Sequence, residues 1–273
     1  MTISNPSEPL EDFGQEATRL IDVGKERGII LRLMGACAIM LHSPKYGYLY
    51  ADMGRELSDL DLLTYSKFRG KLQKFFAGDA HVGSLQPDLY SKSGGMGYVP
   101  DKWFPWQALF MSRHRYLDVK RNRAIDVFID KLEFCHSIDF KNRLEIDYPT
   151  IPLTDMLMTK LQIVQLTEKD MKDVTILFTE HDISDKDEKE FVNSKYLAKR
   201  FSDDWGYYHT ATGNIKKVLN FIPHFPNLDQ NLAQTVSSKL NKLLEIIENE
   251  PKSGKWNKRA KVGTSKMWYN KIE

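Results

Sequence analysis

The stretch that most constrains the fold is Arg55-Glu56-Leu57-Ser58-Asp59-Leu60-Asp61-Leu62-Leu63, which runs on into Thr64-Tyr65. Its apolar end reads as a β-strand. Side chains of a strand alternate between faces, so Asp59 and Asp61 project to one side while Leu60 and Leu62 point into a core. Two like charges held that close repel unless a cation stands between them. A divalent metal with oxygen ligands, Mg²⁺ or Mn²⁺, is the usual cation for such a pair. The plain alternative is a pair of solvated carboxylates at a strand end.

The segments before and after supply a frame for that strand. Residues 10–25 place Leu10, Phe13, Ala17, Leu20 and Ile21 on one helical face, and Gly28 ends the run. Residues 29–34 read as a short strand, Gly35 turns the chain, and residues 36–42 read as a buried helix. A strand, a glycine and a helix start put backbone N–H groups where an anion docks, although an ordinary packing glycine has the same pattern. Residues 43–55 read as a Tyr- and Gly-containing loop. Residues 66–76 form an amphipathic helix with Phe68, Leu72, Phe75 and Phe76 inward. Residues 78–106 carry no assignable element. The Gly94-Gly95-Met96-Gly97 run neither follows a strand nor opens a helix, so it is not read as a phosphate loop. Two alternating runs, 114–119 and 124–129, flank a polar turn and read as a hairpin. In the second run Asp126, Phe128 and Asp130 share one face, and Ile125, Val127 and Ile129 the other.

Beyond a boundary at 149–152 the pattern is helical: 152–166, 168–180, 186–200, 207–222 and 229–248, each with an apolar stripe. The expected division is an α/β domain over 1–150, a helical domain over 151–250 and a basic, aromatic tail over 251–273. That tail has Lys252, Lys255, Lys258, Arg259, Lys261, Lys266 and Lys271 interleaved with Trp256, Trp268 and Tyr269. Such a mixture either tracks a nucleic-acid backbone or docks on its own domain through the tryptophans, and the near-neutral net charge of +2 favours docking. Two cysteines, Cys37 and Cys135, in apolar surroundings read as buried thiols of a reducing compartment. No run reaches membrane-spanning length and no apolar signal core opens the chain, so the expected location is the cytoplasm, with no membrane partner. No His/Cys spacing supports zinc, and His42 and His136 read as hydrogen-bonded residues rather than ligands.

Gly35-x-x-Ala38 with His42, then Arg55, Ser58 and Asp59-Leu60-Asp61, then Ala124-Ile125-Asp126-Val127-Phe128 resembles the nucleotidyltransferase superfamily of DNA polymerase β-like fold. Residues 155–162 with 169–174 look like the helical segment of the abortive-infection nucleotidyltransferase toxins and their prokaryotic relatives. The resemblance covers roughly residues 29 to 181. It implies an α+β fold with a nucleotidyltransferase-like mixed sheet flanked by helices, followed by a helical region. Position 36 is Ala where many members have Ser or Gly, which removes a hydroxyl suited to a phosphate, and the loop between Gly35 and Asp59 is longer than in compact members.

The activity so implied moves an NMP from an NTP to a hydroxyl, with Mg²⁺ or Mn²⁺. Two ions about 3.5–4 Å apart clamp the attacking and leaving oxygens in such transfers. Asp59 and Asp61 would ligate the ion on the nucleotide side. Asp126 would ligate the second and orient or deprotonate the acceptor, with Asp118 and Asp130 as alternatives for that third place. Gly35, Ala36, Arg55, Ser58 and Lys160 would contact the nucleotide. Arg55 equally suits pairing with Glu56 or Asp52, and Lys160 suits an ion pair with Asp170 or Asp173. The acceptor would be an RNA end, a protein hydroxyl or a small molecule such as an aminoglycoside, the toxin-like segment pointing toward RNA or protein and to an antitoxin partner. A nucleotide-binding regulatory protein without turnover is the other reading, to which Ala36 lends weight. A plain nucleic-acid-binding protein is a third.

Overall fold

A computed structural model describes residues 9–78, 94–101, 111–225 and 227–271. The architecture is α+β. It divides into two compact units, the first made of Met1–Ala38, Leu57–Lys131 and Asp139–Ile151, the second of Ile39–Glu56, Leu132–Ile138 and Pro152–Glu273. The last crossing between them falls at 151/152, and two earlier segments, 39–56 and 132–138, also belong to the second unit.

The first unit is built on a five-stranded mixed sheet. Its strands are β1 (Arg32–Met34), β2 (Asp59–Thr64), β3 (Val99–Pro100), β4 (Arg113–Asp118) and β5 (Arg123–Ile129), in the order β1-β2-β5-β4-β3. β2 and β5 run parallel, and the other neighbours are antiparallel. Helices α1 (Phe13–Glu26) and α4 (Arg69–Ala77) belong to this unit. Asp12 starts α1 by accepting the Gln15 N–H at 2.8 Å. Leu20, Ile21, Leu33, Leu60, Leu62, Phe75, Phe76, Tyr116, Ile125 and Val127 are all buried, as the alternation of strand and helix residues requires. The expected hairpin is present, with Asp118 opposite Arg123 at its closed end.

Several expected elements are shorter. The strand expected over 29–34 forms only from Arg32, although Thr64 Oγ1 still donates to the Ile30 carbonyl at 2.6 Å. The helix after it, α2 (Gly35–His42), begins at the glycine itself. The expected loop 43–55 contains one turn of helix, α3 (Leu49–Asp52). The expected helix 66–76 opens as a 3₁₀ turn, Ser66–Phe68. Of the unassigned stretch 78–106, residues 79–93 and 102–106 lie outside the described residues.

The second unit is mostly helical: α5 (Leu153–Leu161), α6 (Glu168–Glu180), α7 (Ser194–Asp203), α8 (Trp205–Phe221), α9 (Gln230–Asn249) and α10 (Gly254–Val262). α6 opens with a capping box in which Thr167 and Asp170 satisfy each other's backbone. One expectation is corrected. Residues 186–200 do not form one helix: beyond the short strands β6 (Lys131–Glu133) and β7 (Ser137–Asp139), β8 (Asp182–Ser184) pairs in parallel with β9 (Phe191–Asn193), and α7 starts only at Ser194. The charged run Asp185–Glu190 has no apolar stripe to bury, and the Asn193 side chain caps Tyr196 N at 2.9 Å, which fixes the helix start. The basic C-terminal segment folds back on α8: Trp268 Nε1 donates to Thr210 Oγ1 at 3.1 Å, and Trp256 meets Tyr208 edge-on. Its Lys255 stays solvated, 77% exposed, as expected of a docked rather than extended tail. No described helix is long and apolar enough to cross a membrane.

Candidate metal centre

Strand register assembles the acidic cluster. Asp61 stands beside Asp126 across the parallel β2–β5 pair, and Asp59 lies two residues before Asp61 on the same face. One carboxylate oxygen from each of Asp59, Asp61 and Asp126 lies within 4.8 Å of the other two. The donor set is entirely hard oxygen. Oxygens sharing an ion at bond lengths of about 2.1 Å stand roughly 3–4 Å apart, so rotamer-scale movement closes the cluster on Mg²⁺ or Mn²⁺. The residues present therefore fit such an ion. The alternatives for the third place fall elsewhere: Asp118 pairs with Arg123 at 3.1 Å and with Arg121 at 3.4 Å, and Asp130 accepts the Ser66 N–H at 2.9 Å.

Gly35 closes the cluster from the β1 side. Met34 is the β1 partner of Asp61, so the residue after it turns directly over that carboxylate. Gly35 has φ +76°, and a Cβ there would lie 2.7 Å from Asp61 Oδ2. The left-handed backbone favours glycine, and a methyl there would have to displace the Asp61 carboxylate. Ala36 follows in the first turn of α2, and Ser58 Oγ donates to Asp59 Oδ1 at 3.1 Å.

Two arginines of β4 complete the electrostatics. Arg113 grips Asp126 with two hydrogen bonds, Nε to Oδ1 at 2.9 Å and Nη2 to Oδ2 at 2.5 Å, and Arg115 Nε lies 4.0 Å from Oδ1. Burial lowers the proton affinity of Arg113, but the bond to Asp126 and the charges of Asp126, Asp61 and Asp59 outweigh it and raise its pKa. Asp126 is only 4% exposed, a carboxylate tolerable there because it is paired. The reading from sequence missed both arginines. A signal existed, since the hairpin register puts Arg115 opposite Asp126 and Arg113 opposite Phe128, on the same face.

Arg55 and Lys160 belong to the second unit, where both converge on one fully buried carboxylate. Asp173 is held by Lys160 Nζ at 2.7 Å and Arg55 Nε at 3.2 Å, and Lys160 also reaches Asp170 at 3.2 Å. For Lys160 this is the helix-to-helix ion pair of α5 with α6. For Arg55 the partner is Asp173, not Asp52, and its Nη1 also donates to the Glu56 carbonyl. His136 stacks on Tyr207, with centroids 4.9 Å apart, and bonds Thr210 at 2.9 Å, while His42 bonds Glu190 at 2.9 Å; both are hydrogen-bonded as expected. Both cysteines are free and buried, and burial pushes the Cys37 thiol up to about 12, which leaves no thiolate for nucleophilic chemistry. In comparisons with known proteins the chain matches no family model, no curated protein and no solved structure.

Proposed function

We propose that the chain is a metal-dependent nucleotidyltransferase that moves an NMP from an NTP to a hydroxyl acceptor: an RNA end, a protein side chain or a small molecule. The observation that carries this reading is the convergence of Asp59, Asp61 and Asp126 on one face of adjacent parallel strands, under the glycine that opens α2. In this reading the three carboxylates hold Mg²⁺ or Mn²⁺, which neutralises the triphosphate and polarises the reacting oxygens. The chain's own groups do the rest. Gly35 lets the backbone approach the phosphates, and the N–H groups at the start of α2 receive their charge. Ser58 steadies Asp59. Asp126 orients the acceptor hydroxyl and takes its proton as the acceptor oxygen bonds to the α-phosphorus and pyrophosphate leaves. Arg113, once released from Asp126, is a planar fork suited to a phosphate.

Two observations favour a second reading, a nucleotide-binding protein without turnover: the two-point grip of Arg113 on Asp126, and Ala36 without a hydroxyl. Incubation with labelled NTPs, Mg²⁺ and total cellular RNA and protein separates the two. A labelled acceptor with matching pyrophosphate release, lost in Asp59→Asn and in Asp126→Asn, supports the transferase. Nucleotide binding with no pyrophosphate from any acceptor pool supports the second. No stabilisation by any NTP, with or without Mg²⁺, defeats both.

A further inference from the structure

The second unit contains another ligand cluster, of different chemistry and with no carboxylate in common with the first. His42 ends α2, His181 follows the last residue of α6, and Glu190 immediately precedes β9. One ligating atom from each lies within 4.8 Å of the other two. Glu190 Oε2 is 2.9 Å from His42 Nδ1 and 3.4 Å from His181 Nδ1. Donors around a tetrahedral ion with bonds of about 2.0–2.1 Å stand roughly 3.3 Å apart, so these separations need little adjustment.

Further features distinguish this cluster from a chance meeting of polar side chains. Both imidazoles are buried, 8% exposed for His42 and 4% for His181. His181 Nδ1, the nitrogen that faces the Glu190 carboxylate, also lies 3.2 Å from the Glu190 carbonyl oxygen, a contact that an ion bound at Nδ1 would replace. The backbone carrying the ligands is pinned. Glu180 Oε1 accepts the N–H groups of Lys45 and Tyr46 at 2.9 and 2.7 Å, which ties the segment after His42 to the residue before His181. Lys239 Nζ holds the His181 carbonyl at 2.8 Å. Glu190 itself has φ +64°, an unfavourable backbone for a non-glycine residue, and its side chain is 43% exposed, leaving the cluster one open side.

We infer that His42, His181 and Glu190 form a binding site for a borderline transition-metal ion, Zn²⁺ foremost, with a position open to water. Two imidazoles and one carboxylate select Zn²⁺ or a neighbouring first-row ion over Mg²⁺, which prefers oxygen alone. A bound ion would clamp the ends of α2 and α6 to the strand at Glu190. Sequence spacing could not reveal it, because the ligands are scattered singly over nearly 150 residues.

The test uses the full chain stripped of metal with a chelator and titrated with Co²⁺, then with Zn²⁺ in competition. One equivalent of Co²⁺ should give the intense visible bands of a four-coordinate site, and Zn²⁺ should bleach them. Glu190→Gln, on a half-exposed side chain, should weaken Zn²⁺ binding at least tenfold, and His181→Gln at least a hundredfold. Far-ultraviolet circular dichroism establishes that each variant is folded, and Glu190→Gln carries the test where His181→Gln is not. Asp59→Asn should leave the Co²⁺ bands unchanged. Absence of tetrahedral bands, an unchanged Zn²⁺ affinity in Glu190→Gln, or loss of the bands in Asp59→Asn would each overturn the inference.

Discussion

Gly35→Ala separates the two demands made at the turn over Asp61. The left-handed backbone at φ +76° costs an L-residue about 1–2 kcal/mol. The second demand is steric. The new methyl would sit 2.7 Å from Asp61 Oδ2, whereas ordinary contact begins at 3.4 Å, so the carboxylate must retreat by about 0.7 Å. Metal–ligand distances tolerate only about 0.2 Å. The expected outcome is a loss of about 1–2 kcal/mol in urea unfolding without metal, together with a fall in Mn²⁺ affinity of at least about tenfold, or 1.4 kcal/mol. Gly54→Ala is the control: Gly54 has φ +62° and nothing within 4 Å of the place a methyl would take, so it carries the backbone cost without the clash. Urea melts with and without Mn²⁺, and Mn²⁺ titration followed by electron paramagnetic resonance, read both quantities. Wild-type Mn²⁺ affinity in Gly35→Ala, or an equal loss in Gly54→Ala, would refute the reasoning.

Further expectations follow from the same geometry. Asp59→Asn removes one of three crowded charges from an exposed position, so its unfolding free energy without metal should stay level or rise, within about 0.5 kcal/mol, while its thermal stabilisation by Mg²⁺ or Mn²⁺ disappears in differential scanning fluorimetry. Asp173→Asn leaves Lys160 and Arg55 without their shared buried carboxylate and should cost about 3–5 kcal/mol in chemical denaturation. Burial holds His136 at a pKa of about 4, against an opposing pull from Asp204. The ring is therefore neutral in the folded chain over a range where the unfolded chain binds a proton. Its contribution is complete above about pH 6.5, declines as the pH falls toward 4, and is flat below, a total of up to about 3 kcal/mol. The difference between wild type and His136→Gln in urea melts across pH 4–7.5 measures it, and a difference independent of pH would contradict the assignment.

The alternation around Asp59-Leu60-Asp61 and the hairpin ending at Ile129 were legible because a strand's period of two depends on nothing beyond neighbouring residues. The helices near 168–180, 207–222 and 229–248 were legible in the same local way, from their apolar stripes, and in the structure Thr167, Asp204 and Asp229 cap their starts. Short-range physics could not place residues 182–193, because a charged run with no apolar stripe is equally poor as helix or strand until a partner strand arrives. Sequence also could not say who neutralises whom. Arg113 reaches Asp126, and Arg55 reaches Asp173 across 118 positions of chain, only once register and helix packing have fixed the distances. The chain's own order of residues determined which side chains share a face; only the tertiary structure decided which faces meet, since electrostatic pairing depends on separation in space and not along the backbone. His42, His181 and Glu190 are the clearest instance, three ordinary positions in sequence that packing gathers around one point.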